Sequence, residues 1–169
     1  MDYIMILLRL LHIIAGIFWV GSALTTTQFL LPTAGATAEA GPKFMQHLMF
    51  KAGLSTMMAA AGGTTVLAGA ILYWLDSHGF TSAWTTSGPG IGFGLGGIMG
   101  LLGFIFGMMV SRSNMALGKL GAQIQGQPTS DQAAQLAALR KRMSNFSLLN
   151  TVFLVLAIAL MASSRYLVF

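Results

Sequence analysis

The stretch Arg9-Leu-Leu-His12-Ile-Ile-Ala-Gly16-Ile-Phe-Trp19-Val-Gly21 decides how the chain is read. It lies in an apolar run that opens the chain, and at about 100° per helical residue Arg9, His12, Gly16, Trp19, Ala23 and Thr27 fall on one stripe. Ionisable side chains at membrane depth need a partner or a cavity. What His12 binds is therefore the central functional question.

Working outward, the chain of 169 residues is 55% hydrophobic and only 8% charged, with a mean hydropathy of +0.75. Soluble domains carry about 25% charged residues. Runs free of Asp, Glu, Lys and Arg cover residues 10–38, 52–75, 88–111 and 143–164, and each meets the roughly 20 residues that span a hydrocarbon core. The expectation is an all-α membrane protein: one domain, 1–169, built as a four-transmembrane-helix bundle with helices at about 3–31, 43–75, 91–125 and 131–167. The absence of cysteine excludes disulfides, thiolate metal sites, iron-sulfur clusters and covalently attached haem. The net charge of +5 and pI near 10.1 read as basic loops at a membrane rather than as a nucleic-acid surface. Ala34-Gly-Ala36 and Ala38-Glu-Ala40 resemble signal cleavage sites, but no basic cluster precedes the first run, which is read as a retained helix.

Local signals set the expected boundaries. Pro32 and the small residues after it end the first helix, and Pro42 suits the first turn of the second. Asp76-Ser-His78-Gly79 opens a polar loop that closes at Ser87-Gly88-Pro89-Gly90. Gly126-Gln127-Pro128 breaks the third helix, and Ser130 is the expected N-cap of a segment that runs into the fourth. Lys43, Lys51, Arg112, Lys119, Arg140, Lys141 and Arg142 fall in the first and third connections, so the positive-inside bias predicts both termini outside and helices three and four extended on the cytoplasmic side. Tyr3, Tyr73, Trp74, Trp84 and Tyr166 fit an outer aromatic belt. Gly62-Gly63 and Gly96-Gly97 are too slight an echo to establish a repeat.

His12 lies about 13 Å below Tyr3 at 1.5 Å per residue. Arg9 is one turn nearer the water, and Arg165 falls at a similar level on the fourth helix. One imidazole with basic groups toward the surface suits haem b, the arginines meeting its propionates. Gly16 would admit a flat ring and Trp19 would stack on it. Met99, roughly level with His12, is the candidate second metal ligand, with Met161 near the same level. The competing reading is structural: His12 bonded to a neighbouring helix and the arginines reaching for the interface.

Other patterns are better read as packing. Gly92, Gly96, Gly100, Gly103 and Gly107 form a small-residue face for close helix contact. Gly92-x-Gly94-x-x-Gly97 matches a dinucleotide fingerprint without the strand that motif requires. Twelve methionines raise a copper alternative, but Met57-Met58 and Met108-Met109 each offer one sulfur per helix face. His47, Lys51 and Glu39 read as a solvated boundary, with an anionic headgroup, quinone or substrate as the other reading. No Ser-His-Asp set or acid pair lies in the membrane.

The Leu11-His12-x-x-x-Gly16-x-x-Trp19-x-Gly21 segment resembles the first helix of the CopD-like superfamily. That group includes copper resistance protein D, the membrane domain of some urate oxidases and, more distantly, HemJ-type protoporphyrinogen oxidases. The similarity extends to Gly69-Ala-Ile-Leu-Tyr73-Trp74, to the segment from Pro128 to Arg142, and to Met161-Ala-x-x-Arg165-Tyr166-Leu167. It implies a multi-pass bacterial inner-membrane protein, b-haem-binding or quinone-linked, with His12 as the family histidine. The expected role is electron transfer with a quinone or a membrane redox partner. The alternatives are copper handling and a cofactor-free accessory subunit, and either a homo-oligomer or a partner subunit is compatible with them. Copper import belongs to a larger architecture than this one. The haem-biosynthetic branch implies an intramembrane lysine on the third helix, for which this chain has no equivalent.

Overall fold

A tryptophan needs room to enter a helix seam, and Gly62 supplies it. A Cβ at Gly62 would meet Trp19 Cε2 and Phe104 Cδ2, each at 2.9 Å, and the Trp19 and Phe104 rings sit edge to face with centroids 5.8 Å apart. Three helices converge there. The computed structural model describes residues 3–37, 40–124 and 126–168. The elements are α1 (Tyr3–Thr25), α2 (Leu31–Ala36), α3 (Ala40–Gln46), α4 (Leu54–Asp76), α5 (Gly88–Gln123) and α6 (Ser130–Ser163). No strand occurs among the described residues. Four helical spans are long and apolar enough to cross a membrane: Tyr3–Ala36, Leu54–Asp76, Gly88–Gln123 and Ser130–Tyr166.

The spans pack as two tight pairs, α1 with α4 and α5 with α6, joined mainly where α4 meets α5. The glycine face of α5 forms the second pair, as its spacing predicts. Cβ atoms at Gly92, Gly96, Gly103 and Gly107 would meet Ser164, Met161, Leu154 and Asn150, at 2.6, 2.7, 2.8 and 2.9 Å. Asn150 Nδ2 donates to the Gly103 carbonyl at 2.8 Å, so the closeness of the backbones also supplies a hydrogen bond. Thr27 and Ser147 exchange a 2.8 Å hydroxyl bond between α1's extension and α6. Ser55 and Ser111 do the same between α4 and α5 at 3.4 Å.

Little of the apolar surface is buried inside. The buried apolar residues are Trp19, Ala23, Met49, Ala68, Leu154 and Ala157 among those described, and the accessible surface is 10655 Å². A soluble chain of this mass exposes about 8,000 Å². Ile4, Leu7, Ile14, Ile17, Leu67 and Leu148 all face outward, which suits hydrocarbon as the surrounding solvent.

Several boundaries differ from the sequence reading. Pro32 does not stop the first span. Its ring would crowd the carbonyl four residues back in a regular helix, but a π-helical segment, Thr26–Leu30, widens the turn just before it, with Leu31 N–H donating to the Thr26 carbonyl. Pro32 then sits in the first turn of α2. The expected second helix is broken: α3 leads into a second π segment, His47–Lys51, and Gly53 at φ 78° redirects the chain into α4. Only glycine adopts that angle without strain. Thr129, not Ser130, caps α6: its Oγ1 accepts from Gln132 N at 3.3 Å while Gln132 Oε1 accepts from Thr129 N at 3.0 Å. α6 does run unbroken into the fourth span. At 36 and 34 residues, α5 and α6 are over about 50 Å long and outreach a hydrocarbon core of about 30 Å.

Gly88 faces the Leu167 backbone carbonyl, which a Cβ would overlap, whereas Gly97 has nothing within 4 Å. Gly88→Ala is expected to cost about 2 kcal/mol or more through forced backbone movement, and Gly97→Ala to be near neutral. Unfolding of the two variants in mixed micelles, followed by circular dichroism, checks the contrast.

Candidate functional site

The stripe Arg9, His12, Gly16, Trp19 and Ala23 does form one face, and that face is the seam against α4. Gly69 lies over the His12 ring, where a Cβ would come within 2.8 Å of Cε1 and 3.0 Å of Nδ1. One turn along, a Cβ at Gly16 would make ordinary contact with Thr65 Cγ2 at 3.4 Å. Then come Trp19 with Gly62, and Ala23 in the same buried cluster. Gly16 and Trp19 are thus taken up in packing α1 on α4.

His12 itself is half-buried, and its Nδ1 lies 2.8 Å from the Thr65 backbone carbonyl. A carbonyl only accepts, so Nδ1 carries the proton. That carbonyl is within reach because Gly69, four residues on, has no side chain to block the ring, and the Thr65 hydroxyl itself donates to the Ala61 carbonyl at 2.8 Å. In the neutral ring this assignment leaves the lone pair on Nε2, which makes no hydrogen bond among the described residues and is not sealed from its surroundings. Metal-ligating histidines are held in the same way, one ring nitrogen donating to a carbonyl and the other kept for the ligand. The structural role foreseen for His12, a bond to a neighbouring helix, is present too, and it uses only one nitrogen.

Arg9 faces the end of α4, where its guanidinium lies 3.7 Å from Asp76 Oδ1, with the two side chains 52% and 36% exposed. A pair this open contributes under about 1 kcal/mol, so it leaves Arg9 free to turn to another anion. The Trp19–Phe104 and Gly92–Ser164 contacts set the registers. They place Arg165, exposed in the turn Ser164–Tyr166, within about one turn of Arg9's depth.

The same registers put Met99 about 3 Å nearer the basic end of the bundle than His12. It is half-buried on α5, a helix that α1 meets at Phe104. Met161 is occupied against Gly96. His47 and His78 are both exposed, the first in the π segment at the basic end, the second at φ 49° in the loop after α4. Glu39 lies outside the described residues. Among the described residues no three His, Asp or Glu side chains gather. Met57 faces outward while Met58 packs on the core, one sulfur per face.

Sequence reasoning missed two features. Tyr73, Trp74, Phe80, Trp84 and Phe93 interlock over the terminal end of the α4–α5 pair, with centroids 5.3 to 6.4 Å apart. The chain turns there through His78, Gly79 and Phe80, all left-handed. Nothing in helical periodicity signals such a loop. The second is a layer of buried hydroxyls and an amide toward the basic end: Thr26, Ser113, Ser147, Asn150 and Thr151. The chain matches no family model, no curated protein and no solved structure.

Nitrogen-15 NMR of His12-labelled protein is expected to show a proton on Nδ1. Gly69→Ala, whose methyl group must displace the ring, should abolish that signature. A proton found on Nε2 alone in the unaltered chain would contradict the assignment.

Proposed function

We propose that this chain is a b-type haem-binding membrane protein of the CopD-like kind, passing electrons between a quinone or a membrane redox partner and its haem. The observation that carries the reading is the intramembrane imidazole of His12, held through Nδ1 by the Thr65 carbonyl with Nε2 left for a metal. Haem b bound there would supply one-electron chemistry. The residues present fit the group at this imidazole: Gly69 leaves room for the Cε1–Nδ1 edge of the ring beside α4, and Arg9 and Arg165 offer cations within about one turn of each other in depth, nearer the chain termini. Gly16 and Trp19 contribute by fixing α1 on α4 rather than by touching the cofactor. Met99 is the proposed second ligand. The resemblance of the Leu11 to Gly21 segment supports the same assignment, in a bacterial inner membrane with the termini outside and the basic end in the cytoplasm.

A reduced-minus-oxidised absorption spectrum of the detergent-purified chain, with a pyridine haemochrome assay, is the deciding measurement. A b-type α band near one haem per chain is expected, lost in His12→Ala and altered in Met99→Leu. Colourless protein from haem-sufficient cells would overturn the reading.

Because the chain has no cysteine, single-cysteine variants report orientation directly. Thr86→Cys, in the loop before α5, is expected to react with a membrane-impermeant maleimide in intact cells, whereas Gln135→Cys on α6 should react only after lysis. The reverse pattern would invert the proposed topology.

A further inference from the structure

The cations between the third and fourth spans are far apart in the chain and close in depth. α5 and α6 pair antiparallel, with Gly103 against Leu154 and Gly107 against Asn150. Both helices continue unbroken past that contact, so the same register sets Arg142, Lys141 and Arg140 opposite Met115, Ala116 and Leu117. All three levels fall between Arg112 and Lys119. These five side chains, every one exposed, therefore form a collar on the helix pair within about 10 Å of its axis length.

Span length sets the depth of that collar. A hydrocarbon core of about 30 Å takes about 20 helical residues, and counted from Ile91 along α5 it ends at Val110. The collar begins at that boundary and occupies the headgroup layer and the water beside it. Arg142 is tied to this level. Its guanidinium carbon lies 5.3 Å from the centre of the Phe146 ring, and Phe146 packs on Phe106, which stacks on Phe153, with centroids 6.1 and 5.5 Å apart.

Beyond the collar the positive charge stops. Residues 120–139, the far end of the α5–α6 hairpin, hold no Lys or Arg and one acid, Asp131. No collar cation pairs with a carboxylate among the described residues. A soluble acidic partner would meet the uncharged or acidic tip first, whereas the phosphates of a bilayer lie at the depth of the cations themselves. From this placement we propose that the collar of Arg112, Lys119, Arg140, Lys141 and Arg142 binds the headgroups of anionic phospholipids in the leaflet it crosses. Arginine offers paired N–H donors to phosphate oxygens, and each cation adds attraction to an anionic surface. A choline headgroup carries the same phosphate but brings its own cation, so it is held less well. The proposal depends neither on haem at His12 nor on which side of the membrane the hairpin lies.

The test titrates the full chain in detergent with dihexanoylphosphatidylglycerol and, separately, with dihexanoylphosphatidylcholine, counting bound lipid by native mass spectrometry. The phosphatidylglycerol is expected to bind more tightly. Three double variants locate the site. Arg140→Gln with Arg142→Gln removes two collar charges and should weaken phosphatidylglycerol binding by about tenfold or more, at about fivefold for each cation. Arg140→Lys with Arg142→Lys keeps the charge and should restore most of that loss. Gln127→Glu with Gln132→Glu lowers the net charge equally at the hairpin tip and should leave affinity within about twofold, because charges there are largely screened from the collar. The proposal is overturned if both lipids bind alike, if the glutamine pair keeps full affinity, or if the tip variant loses as much as the glutamine pair. It is also overturned if a hexaglutamate peptide binds the chain and phosphatidylglycerol does not, an outcome that would assign the collar to a protein partner. Haem content and circular dichroism are followed on the same samples, so colourless, helical protein that binds phosphatidylglycerol in this pattern would end the haem reading and leave this one standing.

Discussion

The seating of Trp19 against Gly62 and Phe104 is the contact on which the other positions depend. Helices in hydrocarbon gain nothing from hiding apolar surface from one another, so they associate where surfaces fit closely. The indole can enter the α1–α4 seam only because Gly62 has no side chain. Once it is seated, the antiparallel register follows: two turns toward the termini His12 meets Gly69, and one turn beyond that Arg9 comes within reach of Asp76. The depth of the candidate site is set by a packing contact about 10 Å away.

The α5–α6 pair uses the same principle with a different material. Its glycines admit not an indole but a mixed set: Met161 over Gly96 and Leu154 over Gly103 pack beside Asn150, which bonds to the Gly103 carbonyl, and Ser164 over Gly92. Close backbones make carbonyls of a neighbouring helix available as acceptors, which is why buried polar residues are as much a part of this interior as buried apolar ones.

The four spans and the glycine face could be read directly from the chain, because both are statements about periodicity and length. So could the grouping of Arg9, His12, Gly16 and Trp19. What that stripe faces could not. A stripe of mixed polarity specifies a face, but whether it meets a cavity or another helix depends on the partner's side chains, here Gly62, Thr65 and Gly69, which lie about 50 residues away. The break at Gly53 was hidden because glycine within an apolar run is compatible with a helix, and only its φ of 78° shows the turn. Thr129 and Ser130 are both good caps, and the choice went to the residue with glutamine three places on.

The π segment before Pro32 has a bearing on how such a chain tolerates change in length. A π turn is an α-helix holding one surplus residue, and this one lies between the face that packs on α4 and the proline that starts α2. Removing a residue there would let the turn relax to regular α geometry with the parts on either side close to their present phase, but the Pro32 ring would then meet the carbonyl four residues back. The surplus residue is what lets the bundle-packed part and the proline share one span, and Thr26–Leu30 holds it.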